Sequence, residues 1–317
     1  MAELTDVWFD CDTGFDDLLA LLVLSRNPSL RLRGVSTVVG NSSLDNTTAN
    51  TLATVEAFGI EAPVYRGCPQ PIAGRPQTIE GLLGEGGMGT TGRRLPEARH
   101  RQAEPEHGVR ALSAYLRAAS APALVVATAP LTNVAQAINL DPSLAAKISR
   151  LVVMGGSAGS GNHTAAAEFN AFADPEAWDV VLRAGVPVEM FGLNLTRQVL
   201  IGPADRDRVD AVGTEVAGAI ADYLDAYLRI RERDRPGPMP LHDPCTTVYL
   251  AHPEWFTLEP ARVEMELAGR ITRGQTVCEF RVPRKAEPNA LVATRAEGKQ
   301  VVDYAVDQVV AALRDAP

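Results

Sequence analysis

Cysteine is sparse: four residues in 317, Cys11, Cys68, Cys245 and Cys278, with no CxxC spacing. Thiols so scattered in a chain this long exclude a disulfide framework and a cysteine-based zinc site, and read as reduced. Positive charge is also short. Lys and Arg total 30 against 39 Asp and Glu, for a net charge of −9. That excludes a nucleic-acid partner, because neutralising phosphates needs clustered Lys and Arg. Arginines do cluster at 229–235, but Glu232 and Asp234 are interleaved with them. The N-terminus lacks a basic stretch followed by an apolar core, so no secretory signal is expected. No apolar run is long enough to cross a bilayer, so no membrane partner is expected either. Cytoplasm is the default location. There is no internal repeat, low-complexity tract or clear linker, and residues 1–317 read as one domain.

What is present is an alternation. The chain is 46% hydrophobic and 22% charged, enough for a sizeable core. Short apolar runs at 6–10, 31–41, 62–67, 123–129, 149–156 and 186–194 read as strands. Helical patterns fall between them at 16–26, 43–59, 130–140 and 174–185. Gly59 would end the second helix, and Asp174 with Pro175 would open the fourth. Near-continuous apolar strands alternating with helices predict an α/β fold. Its sheet is open, doubly wound and mostly parallel, with helices on both faces. Residues 262–281 alternate polar and apolar and predict a small antiparallel hairpin. A final helix is expected over 301–313. Residues 68–108 are rich in Gly, Pro and Arg and predict a long, partly mobile excursion.

One stretch does not fit plain packing. "DCDTGFDD" (10–17) sets Asp10, Asp12, Asp16 and Asp17 within eight positions, where the first strand meets the first helix. Helix capping accounts for one or two of the aspartates. Four would repel one another without a cation. All-oxygen donors with no adjacent Cys or His suit Ca²⁺ or Mg²⁺ rather than zinc. Gly14 lets the loop turn tightly. In such a sheet, ligands bind outside the carboxyl ends of the strands, where other loops converge. Three later segments belong there. "VATAPLTN" (126–133) offers a Thr128 carbonyl. "MGGSAGSGNHTAAAEFN" (154–170) offers Asn162, Glu168 and Asn170, side chains suited to a hydroxylated ligand. "MPLHDPCTTVYLA" (239–251) offers His242 and Asp243. Each alone reads as an ordinary loop residue or cap. Together, beside the acidic cluster, they read as one site.

In these residues the chain resembles the nucleoside hydrolases. "DCDTGFDD" matches that family's DxDxxxDD signature, "TAPLTN" (128–133) a TGPLTN-like segment, "GGSAGSGNHTAAAEFN" (155–170) a GNxxxxAEFN-like segment, and "HDP" (242–244) a late HDP. The closing "ALVATRAEGKQVVDYAVDQVV" also looks like the family's last strand and helix. The resemblance runs in order over essentially the whole chain and implies a Rossmann-like nucleoside hydrolase fold. It implies a Ca²⁺ cofactor held by Asp12, Asp17, the Thr128 carbonyl and Asp243, with Asp12 also the general base for a bound water. It implies that Asp16, Asn41, Asn162, Glu168 and Asn170 hydrogen-bond the ribose, that Asp10 supports the loop, and that His242 helps the base depart. The partner implied is a small-molecule ribonucleoside, the reaction Ca²⁺-dependent hydrolysis of its N-glycosidic bond, and the assembly a homo-oligomer, dimer or tetramer. Two carboxylates and an oxocarbenium-like transition state fit that chemistry on independent grounds.

The sequence departs from the family in two places. Asp-Thr-Gly stands where Asp-Pro-Gly is common, and Leu83 in "GLLGEGGMG" (81–89) stands where many members carry a histidine. Tyr223, Tyr227 and the 229–235 arginines sit where members supply mobile base contacts. Three other readings compete: a hydrolase of another ribosylated substrate, a non-catalytic nucleoside or ribose binder, and a phosphatase of the haloacid-dehalogenase type. The phosphatase motif needs Thr or Val four residues after Asp10, where this chain has Gly14.

Overall fold

The structure is a computed structural model and describes residues 4–121, 123–230 and 237–316. Among the described residues eleven strands form in chain order: β1 (Thr5–Cys11), β2 (Leu30–Thr37), β3 (Val64–Arg66), β4 (Ala123–Ala127), β5 (Ile148–Met154), β6 (Val188–Phe191), β7 (Leu200–Ile201), β8 (Met239–Pro240), β9 (Phe256–Met265), β10 (Thr276–Glu279) and β11 (Ala290–Ala296). Nine of them make one sheet, in the order β10-β9-β11-β6-β5-β4-β1-β2-β3. The strands from β3 across to β11 are parallel, and β9 runs against them. The expected α/β class, parallel sheet and antiparallel hairpin are all present. The hairpin, β9 with β10, extends the main sheet through β11. Among the described residues, no helix is long and apolar enough to cross a membrane.

The sheet is apolar on both sides because both sides are covered. Along β1, Val7, Phe9 and Cys11 enter one core while Trp8 enters the other. The first core is closed by helices Phe15–Ser25, Glu215–Leu228 and Gly298–Asp315; the second by Gly108–Ala118, Thr132–Leu140 and Pro175–Arg183. Helix Phe15–Ser25 is buried continuously from Asp17 to Leu24, which explains why its sequence shows no polar face. Gly59 takes a positive φ of 61° just past the helix Leu44–Ala57, as a left-handed terminator should. Asp174 caps Pro175–Arg183 through the Ala177 N–H.

Three features differ from expectation. β2 stops at Thr37, and the chain then turns so that Asn41 folds back over the aspartates. The pair β7–β8 was not foreseen, since two-residue strands carry no readable periodicity. The 68–108 excursion is fastened at several points. Arg93 bonds both Asp222 and Asp210, Leu95 N–H donates to the Tyr223 hydroxyl at 2.7 Å, and Glu56 accepts from the Arg99, His100 and Arg101 amides.

Candidate active site

The strand order 3-2-1-4-5-6 reverses direction between β1 and β4, and that is where an open parallel sheet leaves a crevice at its carboxyl edge. Asp10 lies opposite Ser36 of β2 and Ala127 of β4. The first loop therefore opens at the crevice, with Thr128 beside it. Thr128 N–H donates to the Asp10 carbonyl at 2.9 Å, continuing the ladder by one step.

Each acid has a distinct set of partners. Asp10 is fully buried. Trp8 Nε1 donates to Ser36 Oγ at 2.8 Å, and the Ser36 hydroxyl and Asn133 Nδ2 donate to Asp10 Oδ1. Asp17 Oδ2 accepts from Gly14 N at 3.0 Å and Asn41 Nδ2 at 3.1 Å, and its Oδ1 accepts from Thr128 Oγ1 at 2.6 Å. Capping is thus one part of what Asp17 does. Asp12 Oδ2 accepts from Asn41 N at 2.6 Å, while its Oδ1 is buried with no partner among the described residues. Asn41, assigned to ribose from sequence, bridges the two acids from above. Gly14 makes room for it: a Cβ there would lie 2.8 Å from Asn41 Nδ2.

Among the described residues, Asp16, Asp17 and Asp243 form a carboxylate group in which one oxygen of each lies within 4.8 Å of the others. Two of its members, Asp17 and Asp243, belong to the expected ligand set, and Asp16 is the acid expected to meet the ribose. Asp12 is beside the group, close enough for Asp17 and Asp16 to raise its proton affinity. Burial pushes the Asp12 and Asp243 carboxyls well above the usual range, with neighbouring aspartates adding to it. Burial, then Asp16, lifts Asp17 to about 7. Burial lifts Asp10 to about 7 against its two hydrogen bonds. A buried carboxylate oxygen without a donor, among acids that repel one another, is what a cation would relieve. The donor set is oxygen only, so the residues fit a hard divalent ion.

Above these acids lies a cavity of about 750 Å³. Asp16, Asn41, Thr128, Asn162, Glu168, Asn170, His242 and Asp243 all reach its wall, so the structure brings together the residues singled out from sequence. Asp12 and Asp17 are buried beneath. Several of these groups are also structural. Glu168 caps the helix Phe169–Ala173, accepting from Gly156, Asn170 and Ala171 amides at 2.7–3.1 Å. Burial still lifts its carboxyl to about 7. Asn162 Oδ1 accepts from Phe169 N at 3.0 Å. Asn170 Nδ2 donates to the Thr128 carbonyl at 2.9 Å. His242 Nδ1 lies 2.8 Å from Thr196 Oγ1, and burial holds the imidazole below its usual range, with Arg197 acting the same way and Asp16 opposing. Much of the remaining wall is aliphatic: Ile79, Leu82, Leu83, Leu200 and Met239.

The suggested base contacts divide. Tyr227 lines the cavity, stacked on Phe15 at 5.2 Å, and donates to the Pro240 carbonyl. Tyr223 is not on the cavity wall; it is spent on Leu95. Arg229 follows the helix Glu215–Leu228 as its cap, and the arginines at 231, 233 and 235 lie outside the described residues. Sequence reasoning missed Ser36, Asn133, Gly40, Thr196 and Arg197. Of these only Asn133 carried a signal, as the last letter of "TAPLTN". Gly40 has a steric reason: a Cβ there would sit 2.0 Å from Asp12 Oδ2. We expect Gly40→Ala to displace the Asp12 carboxylate, lowering kcat at least tenfold and costing about 1–3 kcal/mol in stability from overpacking. Steady-state kinetics beside a denaturant melt checks both.

A doubly wound sheet with buried carboxylates at its switch point, under a mixed polar and aliphatic cavity, defines an α/β protein with a ligand site at the carboxyl edge of its sheet. The family described as inosine-uridine preferring nucleoside hydrolase matches residues 7–303, and the chain belongs to it. It is therefore an N-glycosyl hydrolase by family. Pyrimidine-specific ribonucleoside hydrolase RihA of Salmonella paratyphi A is 35% identical over 95% of this chain and 96% of its own length. RihA of Escherichia coli O1:K1 / APEC is 34% identical over 96% and 97%. Among solved structures, the purine-preferring ribonucleoside hydrolase from Gardnerella vaginalis superposes with a TM-score of 0.90 at 26% identity, over 98% of this chain and all of that one.

Proposed function

We propose that this chain is a Ca²⁺-dependent ribonucleoside hydrolase that releases free base and ribose. The observation that carries this reading is Asp12 Oδ1, buried and unpartnered beside the Asp16–Asp17–Asp243 group. Asp12, Asp17, Asp243 and the Thr128 carbonyl would hold the cation, with Asp16 close enough to share it. Bound there, Ca²⁺ supplies positive charge that fixes the ribose hydroxyls and acidifies a water. Asp12 Oδ1, which has no donor among the described residues, would take a proton from a water attacking the anomeric carbon. Asp16, Asn41, Asn162, Glu168 and Asn170 orient the ribose. The buried carboxylates favour the oxocarbenium-like charge that develops as the C–N bond opens, an arrangement in place before reaction. His242 faces the departing base.

The pyrimidine-specific relatives, similar over nearly their whole length, support uridine or cytidine as substrates. A panel of ribonucleosides and their 2′-deoxy analogues, scored for base release, should show pyrimidine ribosides turned over fastest and the deoxy forms at least about 100-fold slower, since they lack a hydroxyl the site is built to bind. Release of base from none of them would sink the reading. A second reading, another ribosylated substrate, is favoured by the aliphatic wall at Leu83; nicotinamide riboside belongs in the same panel. The resemblance also supports a single domain over 1–317, a homo-oligomeric state and a cytoplasmic location. Gel filtration with light scattering should return a dimer or tetramer.

A further inference from the structure

The segment after β6 holds a contact that the reaction scheme above does not use. Thr196 ends the short helix Leu193–Thr196 and is fully buried. Asn194 anchors that helix on two sides, accepting from Ala158 N at 3.0 Å and donating to the Ala293 carbonyl at 2.9 Å. Thr196 Oγ1 lies 2.8 Å from His242 Nδ1, across 46 positions of sequence.

The direction of this bond follows from satisfaction. A helical Thr hydroxyl commonly donates to the carbonyl four residues earlier. Here that carbonyl, Gly192 O, already accepts from the Leu195 and Thr196 amides at 2.9 and 3.1 Å. Among the described residues the hydroxyl has no acceptor other than the imidazole. If Nδ1 carried the hydrogen, Thr196 would accept it and leave its own buried O–H without a partner, which is costly. Donation from Thr196 satisfies both groups. A neutral imidazole bears one N–H, so the other nitrogen then carries it.

We propose that Thr196 is a positioning residue: its hydroxyl donates to His242 Nδ1 and thereby keeps the imidazole hydrogen on Nε2, the nitrogen left to meet the departing base. The inference rests on His242 facing the base in the reading above. As the C–N bond breaks, its electron pair goes to the base, and Nε2–H donates a hydrogen bond to the negative charge that builds there. The proton stays on His242. With the other tautomer, Nε2 would present a lone pair to that charge instead.

Two measurements test this. Removing one aimed donor typically costs about 10²–10³-fold in rate. Thr196→Val should lower kcat on uridine at least about tenfold, leave KM little changed, and spare p-nitrophenyl β-D-ribofuranoside, whose leaving group departs without a donor. Thr196→Ser should restore uridine turnover. Nitrogen-15 NMR of histidine-labelled wild-type protein should find the hydrogen of His242 on Nε2. Full uridine activity in Thr196→Val, or equal loss on both substrates, overturns the proposal. So does the Nδ1–H tautomer in the wild type, whatever the variants do. His242→Ala separates the two levels. If it keeps full uridine turnover, the role of His242 falls and that of Thr196 with it. If it loses turnover while Thr196→Val does not, the Thr196 inference falls alone.

Discussion

Asp12→Ala is expected to remove nearly all turnover while the protein stays folded. General-base catalysis alone contributes about 10²–10⁴-fold, and the same change takes a carboxylate from the cation's surroundings, so kcat should fall by about 10³ or more. The fold should survive because Asp12 makes few stabilising contacts. Its carboxylate accepts from the Asn41 amide at 2.6 Å. Leaving that amide unpaired costs about 1–3 kcal/mol. Against this, the variant no longer buries a carboxyl with an unpartnered oxygen next to Asp17 and Asp16, whose charges oppose its ionisation. The two effects offset one another to within a few kcal/mol. Asp12→Asn is the stricter version. It keeps the shape and an oxygen for Asn41 but offers no basic site, so it should be about as inactive as the alanine variant. Turnover of uridine, read beside circular dichroism and a thermal melt, decides the matter. A folded variant that keeps a tenth or more of wild-type kcat would remove Asp12 from the role of base.

The first loop was readable because its chemistry is local. Four like charges in eight positions demand compensation wherever the chain goes, and no fold is needed to see it. The alternation of strands and helices was readable for a similar reason, since strands buried on both faces must be continuously apolar. What decides the geometry is non-local. That β1 sits between β2 and β4 puts Asp10 against Ser36 and Asn133, 26 and 123 positions away, and nothing in the sequence pairs them. Asn41 was assigned to ribose from resemblance. Its backbone amide on Asp12 is a bond any residue but proline could make, so its identity carries little sign of it. The closeness of Asp16 to Asp17 and Asp243 depends on where the helix Pro244–Ala251 docks, more than two hundred residues on. Thr196 reads as one more Thr in a short apolar helix until His242 is placed against it. The family resemblance supplied names for the site residues; the bonds among them came from the fold.

Metal removal and pH should act on stability in a linked way, and the sign follows from the buried acids. Asp10 and Asp17 have folded-state values near 7 against 3.8 for the free side chain, and Asp12 and Asp243 are shifted the same way. A carboxyl whose folded value is raised contributes stability that is fully present below its unfolded value and is lost as pH rises toward the folded one. From these carboxyls, chelator-treated protein should therefore keep their full contribution only below about pH 4 and should weaken steadily from there up to about pH 7. A divalent cation binds the deprotonated carboxylates, so its effect runs the other way. At 100 times its dissociation constant a ligand adds about 2.7 kcal/mol. For a chain of this size that is several degrees in Tm. At pH 5, where protons compete for the same oxygens, Ca²⁺ should raise the Tm little. At pH 7.5 the increase should be full, and activity lost to chelation should return with Ca²⁺. Differential scanning calorimetry at the two pH values, with and without Ca²⁺, reads the whole pattern. A metal-free protein that gains stability from pH 5 to 7.5 would mean the aspartates are neutralised by something other than protons or a cation. Equal Ca²⁺ shifts at both pH values would place the ion away from the acids that carry the raised values. Asp17→Asn offers the internal check. It removes one raised carboxyl, so the metal-free protein should lose less stability between pH 5 and 7.5 than the wild type, while the Ca²⁺-induced rise at pH 7.5 shrinks because a ligand is gone.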